Sequence, residues 1–145
     1  GHGLHHANRD YLMPKDADPL AIENSAIPVD VLVDYLKQSG TNQIVLVLDA
    51  CHTKETQFGQ GFGTDPRGVI TLFSSDYNQT SQSIENLKQG AFTYSLLAAL
   101  KLLSKYPNTH LEHLHLYLSD ALPKLTHQYS KPSQKTRLSA TAPFT

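Results

Sequence analysis

Ile44-Val45-Leu46-Val47-Leu48 runs straight into Asp49-Ala50-Cys51-His52. An unbroken run of β-branched residues and leucine reads as a strand buried on both faces, which belongs in a sheet covered by helices on each side. Sheets of that kind present their chemistry at the carboxyl ends of the strands. Here that end carries the only cysteine of the chain. The sequence also opens on Gly1-His2-Gly3, a histidine between two glycines. One cysteine, one glycine-flanked histidine and an aspartate two residues before the cysteine point together to a cysteine hydrolase. Taken singly, each has a plainer reading. A lone cysteine is commonly a small buried hydrophobe, and a loop histidine is commonly just solvated.

The rest of the chain supplies an α/β frame. Residues 1–10 are polar and without period, and read as a loop. Tyr11-Leu12-Met13 is a short apolar patch, a brief strand ended by Pro14. Pro28 suits the first turn of a helix, Val29, Leu32, Val33 and Leu36 follow at helical spacing, and Gly40 closes it. After the run at 44–48, residues 52–67 hold Gly59, Gly61, Gly63 and Pro66 with no periodicity. A loop of that length in a compact domain is functional or cleavable. Gly68 to Phe73 is a second buried strand, and 74–86 is polar. Phe92, Leu96, Leu97, Leu100 and Leu103 mark an amphipathic helix. Asn108 or Thr109 caps another, with the stripe Leu111, Leu114, Leu118, Leu122 and Leu125, which Pro123 should kink or split. Ser130 to Lys135 is a turn, and Thr136 to Ala142 a last short strand. Alternating helices and strands give an α/β sheet with helices on its faces. Only about three strands are legible, so further strands are expected from upstream of Gly1 or from another chain.

Composition narrows the function. A chain of 145 residues is one domain by length. With 39% hydrophobic and 17% charged residues it can bury a core. A net charge of −1 offers no basic footprint for nucleic acid and no polybasic patch for a membrane. No apolar stretch approaches the roughly 20 residues of a membrane span. A single cysteine excludes an internal disulfide and a Cys-rich zinc site, and fits a reducing, cytoplasmic setting.

A thiol with a pKa of about 8.5 needs a base or cation nearby to react at neutral pH. His2 is the candidate, with glycine neighbours that permit a sharp turn and close approach to substrate. The backbone N–H groups of Gly3 and Cys51 are then candidates for the oxyanion hole.

Three ordered blocks carry a resemblance. They are Gly1-His2-Gly3, Tyr11-Leu12-Met13-Pro14-Lys15-Asp16, and Val45 through His52. To these add Phe73-Ser74-Ser75-Asp76-Tyr77-Asn78-Gln79-Thr80-Ser81 with Gly90-Ala91-Phe92-Thr93, and more loosely Gln134 to Ser139. In this order they resemble the caspase-like peptidases of the metacaspase and orthocaspase type. The resemblance implies a caspase-hemoglobinase sandwich, a mostly parallel sheet flanked by helices. It implies that residues 1–145 are the carboxyl-terminal part of one such domain, with the amino-terminal strands of the domain as its partner. It implies Cys51 as nucleophile, His2 as general base and acid, Gly3 and Cys51 as oxyanion donors, and cleavage of proteins or peptides after Arg or Lys. Asp49 matches the acid that this family places in the specificity pocket, and a carboxylate there can grip a guanidinium with both oxygens. Its plainer role is a strand-end cap. Asp76 is a second candidate for the pocket, equally readable as a solvated loop acid.

The family is often cut to mature where residues 52–67 lie, and Lys54 and Arg67 are the basic residues there. Calcium-dependent members carry a run of acids soon after the histidine. Leu4 to Asp10 holds one, so calcium is not expected. His5 and His6, and His110-x-x-His113-x-His115, invite a zinc reading, but on a helix 110 and 113 share a face that 115 does not. No cofactor and no metal is therefore expected. The alternatives are a caspase-like scaffold that binds partners without catalysis, and a zinc hydrolase built on the histidines.

Overall fold

The computed structural model describes residues 1–41, 43–52, 69–76 and 79–140. The chain begins with a hairpin of β1 (His2–His6) and β2 (Arg9–Met13), paired antiparallel from His2↔Met13 to His6↔Arg9. The turn is Ala7-Asn8, both in the left-handed region at φ 47° and 61°. Two successive residues of that kind are what a two-residue hairpin turn of matching twist requires. The loop expected over residues 1–10 is thus a hairpin. Its polar, histidine-rich strands hide the alternation that would reveal it. Met13 is followed by Pro14, which ends the strand as expected.

A single turn of helix, α1 (Ile22–Ser25), leads to β3 (Ile27–Pro28), which adds antiparallel to β2. Helix α2 (Val29–Lys37) follows directly, with Val29 and Val33 buried on its inner face. Gly40, at φ 80°, ends it by donating its N–H to the Lys37 carbonyl at 3.1 Å. Only glycine takes that φ without strain.

Beyond it lies β4 (Ile44–Leu48), and after residues 49 and 50 the chain re-enters pairing as β5 (Cys51–His52). Strand β6 (Val69–Phe73) is buried at every position and pairs parallel with β4 from Ile44↔Val69 to Leu48↔Phe73. On its other side it takes β9 (Arg137–Ala140) antiparallel. A two-stranded ribbon, β7 (Ser83–Ile84) and β8 (Gln89–Gly90), encloses a 3₁₀ turn at Glu85–Leu87. Helices α3 (Ala91–Leu103) and α4 (Leu111–Gln128) complete the order.

Two apolar clusters lie on opposite faces of β4–β6–β9. Val29, Val33, Ile44, Leu46 and Val69 join α2 to one face. Leu72, Ile84, Phe92, Ala99, Leu114, Leu118 and Leu122 join α3 and α4 to the other. A helix, sheet, helix layering results, in which α/β content is mixed as expected. The mostly parallel sheet is not what the pairings give. Among the described residues, β1–β5 and β4–β6 are parallel, and β1–β2, β2–β3, β6–β9 and β7–β8 are antiparallel. Short turns force the antiparallel pairing of β1–β2 and of β7–β8, because only a long crossover can return a strand in the same direction, while β2–β3 and β6–β9 are antiparallel across longer connections.

Other expectations change in detail. Strand β4 is buried on one face only, since Val45 and Val47 are 51% and 43% exposed. The buried stripe of α3 is Ala91, Phe92, Ser95 and Ala99, while Leu97 and Leu100 face outward. Helix α4 starts from His110, whose backbone N–H donates to His113 Nδ1 at 3.0 Å. Asn108 or Thr109 is the expected cap; Thr109 instead donates its hydroxyl to the carbonyls of Leu103, the last residue of α3, and of Tyr106 beyond it. Pro123 leaves α4 unsplit. The carbonyl that loses its N–H there belongs to Ser119, on the exposed side where water can serve it.

One exposed ion pair ties the hairpin to α2. Arg9 Nε and Nη2 donate to the two Asp30 oxygens at 3.0 and 2.8 Å. Burial alone would raise the Asp30 carboxyl. Hydrogen bonds from Arg9 and the Val31 N–H outweigh it and hold the carboxyl below its ordinary 3.8. A depressed carboxyl stabilises the fold above its unfolded value, and that contribution fades as pH falls through the lower, folded value. Asp30→Asn is therefore expected to cost a small amount of stability at neutral pH. In denaturant titrations the deficit fades as pH falls through the folded carboxyl's lowered value and shrinks in high salt. A deficit insensitive to both would mean that the substitution acts by packing.

Candidate active site

Residues 44–52 form one extended stretch with two sets of neighbours. Through Ile44–Leu48 it belongs to β6, and through Cys51–His52 it belongs to β1. Asp49-Ala50 is the crossover between them. The Ser74 N–H bonds the Leu48 carbonyl at 2.9 Å, and the Ser74 hydroxyl reaches toward the Ala50 carbonyl at 3.5 Å. These contacts hold the crossover against the end of β6. At the crossover the Gly1 nitrogen also donates to the Asp49 carbonyl at 2.7 Å.

The parallel register of β1 and β5 sets His2 against Cys51 and Gly3 against His52. Neighbouring strands lie about 4.8 Å apart. The histidine and cysteine of the sequence reading, 49 positions apart in the chain, are thus adjacent across one strand pair. Gly3 is buried beside them.

Asp49 turns its carboxylate toward α3. The Thr93 hydroxyl donates to Oδ2 at 2.5 Å and the Ser81 hydroxyl to Oδ1 at 2.5 Å. Thr93 stands in the first turn of α3, where the helix dipole favours a negative charge. A Cβ on Gly90 would sit 2.8 Å from Oδ2. Gly90 has an ordinary φ of −66°, so its small size matters here for space and not for backbone freedom. The side chain is half-buried.

The loop that carries Ser81 is held from the far end of the chain. Gln134 is fully buried. Its Nε2 donates to the Ser74 carbonyl at 2.6 Å and to Ser81 Oγ at 3.4 Å, and its Oε1 accepts the Gln82 N–H at 2.8 Å. Next to it the Lys135 N–H bonds Gln79 Oε1 at 2.8 Å and the Thr136 hydroxyl bonds the Phe73 carbonyl at 2.9 Å.

The chain matches the family model for the caspase domain over residues 1–144. It belongs to the caspase-domain family. A search of curated proteins returned no match. Caspase domains are cysteine peptidases, hydrolases that act on protein substrates, and the class expected from the sequence stands on that match.

Within this caspase domain the structure brings His2, Gly3, Cys51 and Asp49 to one crossover. Asp76 lies at the exit of β6, where its carbonyl accepts the Gln79 N–H at 3.1 Å. Lys54 and Arg67 fall outside the described residues. Among the described residues no three His, Cys, Asp or Glu side chains gather as a metal site, and no helix is long and apolar enough to cross a membrane. His110 and His113 serve as a helix cap. Sequence reasoning assigned no role to Ser81, Thr93 or Gln134. Their signal was present: each lies in a block that carried the family resemblance.

Proposed function

We propose that this caspase domain is the catalytic part of a cysteine endopeptidase that cleaves after Arg or Lys. Cys51 is the nucleophile and His2 the general base and acid. The observation that carries the reading is the register pairing His2 with Cys51 where the strand at 44–52 leaves β6 for β1. His2 takes the thiol proton as sulfur attacks the scissile carbonyl. The resulting oxyanion is received by the backbone N–H groups of Gly3 and Cys51. His2 then protonates the departing amine, leaving a thioester on Cys51. Water, deprotonated by His2, cleaves the thioester to free acid and thiol.

Asp49 is the acid that receives the substrate guanidinium or ammonium. An ionised carboxylate has about four acceptor sites, and the two hydroxyls on Asp49 occupy one on each oxygen. The acid is thus anchored and still able to bind a cation. Asp76 is a second, weaker contributor to the same recognition. Further strands from the amino-terminal part of the same domain pair with β4, which among the described residues is an edge strand of its sheet. A free catalytic thiol suits a reducing compartment such as the cytoplasm.

A fluorogenic peptide ending in Arg tests the reading directly. Hydrolysis that is blocked by thiol alkylation and unaffected by chelators supports it. No turnover would indicate a binding scaffold, and loss with chelators a metal hydrolase. Self-processing at Lys54 or Arg67 is part of the proposal. Incubation is expected to convert the protein to two fragments, and the Lys54→Ala/Arg67→Ala double variant to remain intact on a gel. An unchanged fragment pattern in that variant rules self-cleavage at these residues out.

A further inference from the structure

We propose that Gln134, acting through Ser81, positions Asp49 for cation recognition, so that the carboxyl-terminal segment of the domain sets the preference for basic residues. The inference rests on the reading of Asp49 as the pocket acid.

The orientation of the Gln134 amide is fixed by its backbone neighbours. Nε2 faces a carbonyl, that of Ser74, and Oε1 faces an N–H, that of Gln82. The flipped amide would set acceptor against acceptor and donor against donor. With Nε2 donating its second hydrogen toward Ser81 Oγ, the Ser81 hydroxyl is directed to spend its own hydrogen on Asp49 Oδ1. Chains of hydrogen bonds polarised in one direction strengthen one another. Thr93 secures the other oxygen, Oδ2, from α3. Gly90 closes in on that oxygen with room for hydrogen and not for a Cβ.

Two donors from two different elements thus fix the plane of the carboxylate as well as its location. A plane matters for one task above others. A guanidinium presents parallel N–H groups in a rigid fork, and pairs well only with a carboxylate turned to meet it. A strut between β4 and α3 would need one oxygen held. Here both are held, and one of the two donors is itself aimed by a fully buried glutamine 53 positions further along the chain.

The test compares two peptides that differ only in Arg or its uncharged isostere citrulline before the scissile bond, on the full protein. The readout is the ratio of their kcat/KM values. In Ser81→Ala and Thr93→Val the ratio is expected to fall about tenfold, through a higher KM for the Arg peptide, with kcat on the citrulline peptide unchanged. Thr93→Ser keeps the hydroxyl and is expected to restore the ratio. Gln134→Glu, which replaces the donor to Ser74 and Ser81, moves the ratio the same way. If that variant does not fold, Ser81→Ala carries the test. Equal losses on both peptides in Ser81→Ala and Thr93→Val mean a structural role and overturn the inference. So does a wild-type ratio in those two variants when Asp49→Asn abolishes it. A wild-type protein with no Asp49-dependent preference overturns the underlying reading instead, and the inference with it.

Discussion

Cys51→Ala is expected to abolish hydrolysis of an Arg-peptide substrate, with a loss of at least about 10⁴-fold in kcat, because it removes the group that forms the acyl intermediate. His2→Ala costs about 10²- to 10⁴-fold, the usual worth of a positioned acid and base. The two losses are not additive. A thiol without its base and a base without its thiol are each nearly the whole defect, so the double variant is little worse than Cys51→Ala alone. The pair is adjacent through backbone register, which a change of side chain leaves in place, so neither substitution should disturb β1 or β5. Steady-state kinetics with matched circular dichroism spectra checks this. A Cys51→Ala protein that retains wild-type turnover would remove the cysteine mechanism altogether.

Asp49→Asn is expected to lower kcat/KM for Arg and Lys substrates by about 10²-fold or more while leaving a citrulline substrate nearly unaffected. Truncating one member of a desolvated charge pair costs this much or more. Asparagine is the informative choice. It keeps the size of the side chain: its amide oxygen still accepts from one of the two hydroxyls, and the other hydroxyl can rotate to accept from the amide nitrogen. The tie between β4 and α3 survives while the charge is lost. Gly90→Ala reaches the same site from the other side. Its added methyl would lie 2.8 Å from Oδ2 and must push the carboxylate off its two donors, so it should reproduce part of the Asp49→Asn loss with the charge still present. Were Asp49→Asn to impair Arg and citrulline substrates alike, the acid would be a strut and the pocket would lie elsewhere.

What the sequence made legible follows from the range of the forces involved. Strands β4 and β6 and helices α2 and α4 announce themselves because burial imposes a local period, and Val29, Val33, Leu114, Leu118 and Leu122 are buried where that period puts them. The same rule misleads where apolar residues outnumber the surface available to cover them. Leu97 and Leu100 continue the leucine pattern of α3, yet the buried face is built from Phe92 and the small residues Ala91, Ser95 and Ala99. The β1–β2 hairpin was invisible because its signal is backbone conformation at Ala7 and Asn8, and no side-chain periodicity accompanies it. The site divides the same way. Cys51 and Asp49 are marked by a strand end, and His2 by its glycines. Ser81, Thr93 and Gln134 meet Asp49 or one another across 32 to 53 positions. Single hydroxyls and amides carry no periodic pattern, so only their place in the blocks of the family resemblance marked them, and nothing local betrays the contacts themselves.

The seam between β1 and β5 is two residue pairs long among the described residues, against five for β4 and β6. Short ladders open more readily than long ones, and they can do so without the rest of the domain unfolding. Breathing at this seam would part His2 from Cys51 and leave both hydrophobic clusters intact. A ligand that spans the two strands binds only the closed form, and so draws the equilibrium toward it. Competence and local order are then a single quantity at this place. Amide exchange at Gly3 and His52 would report how often the domain is ready to react.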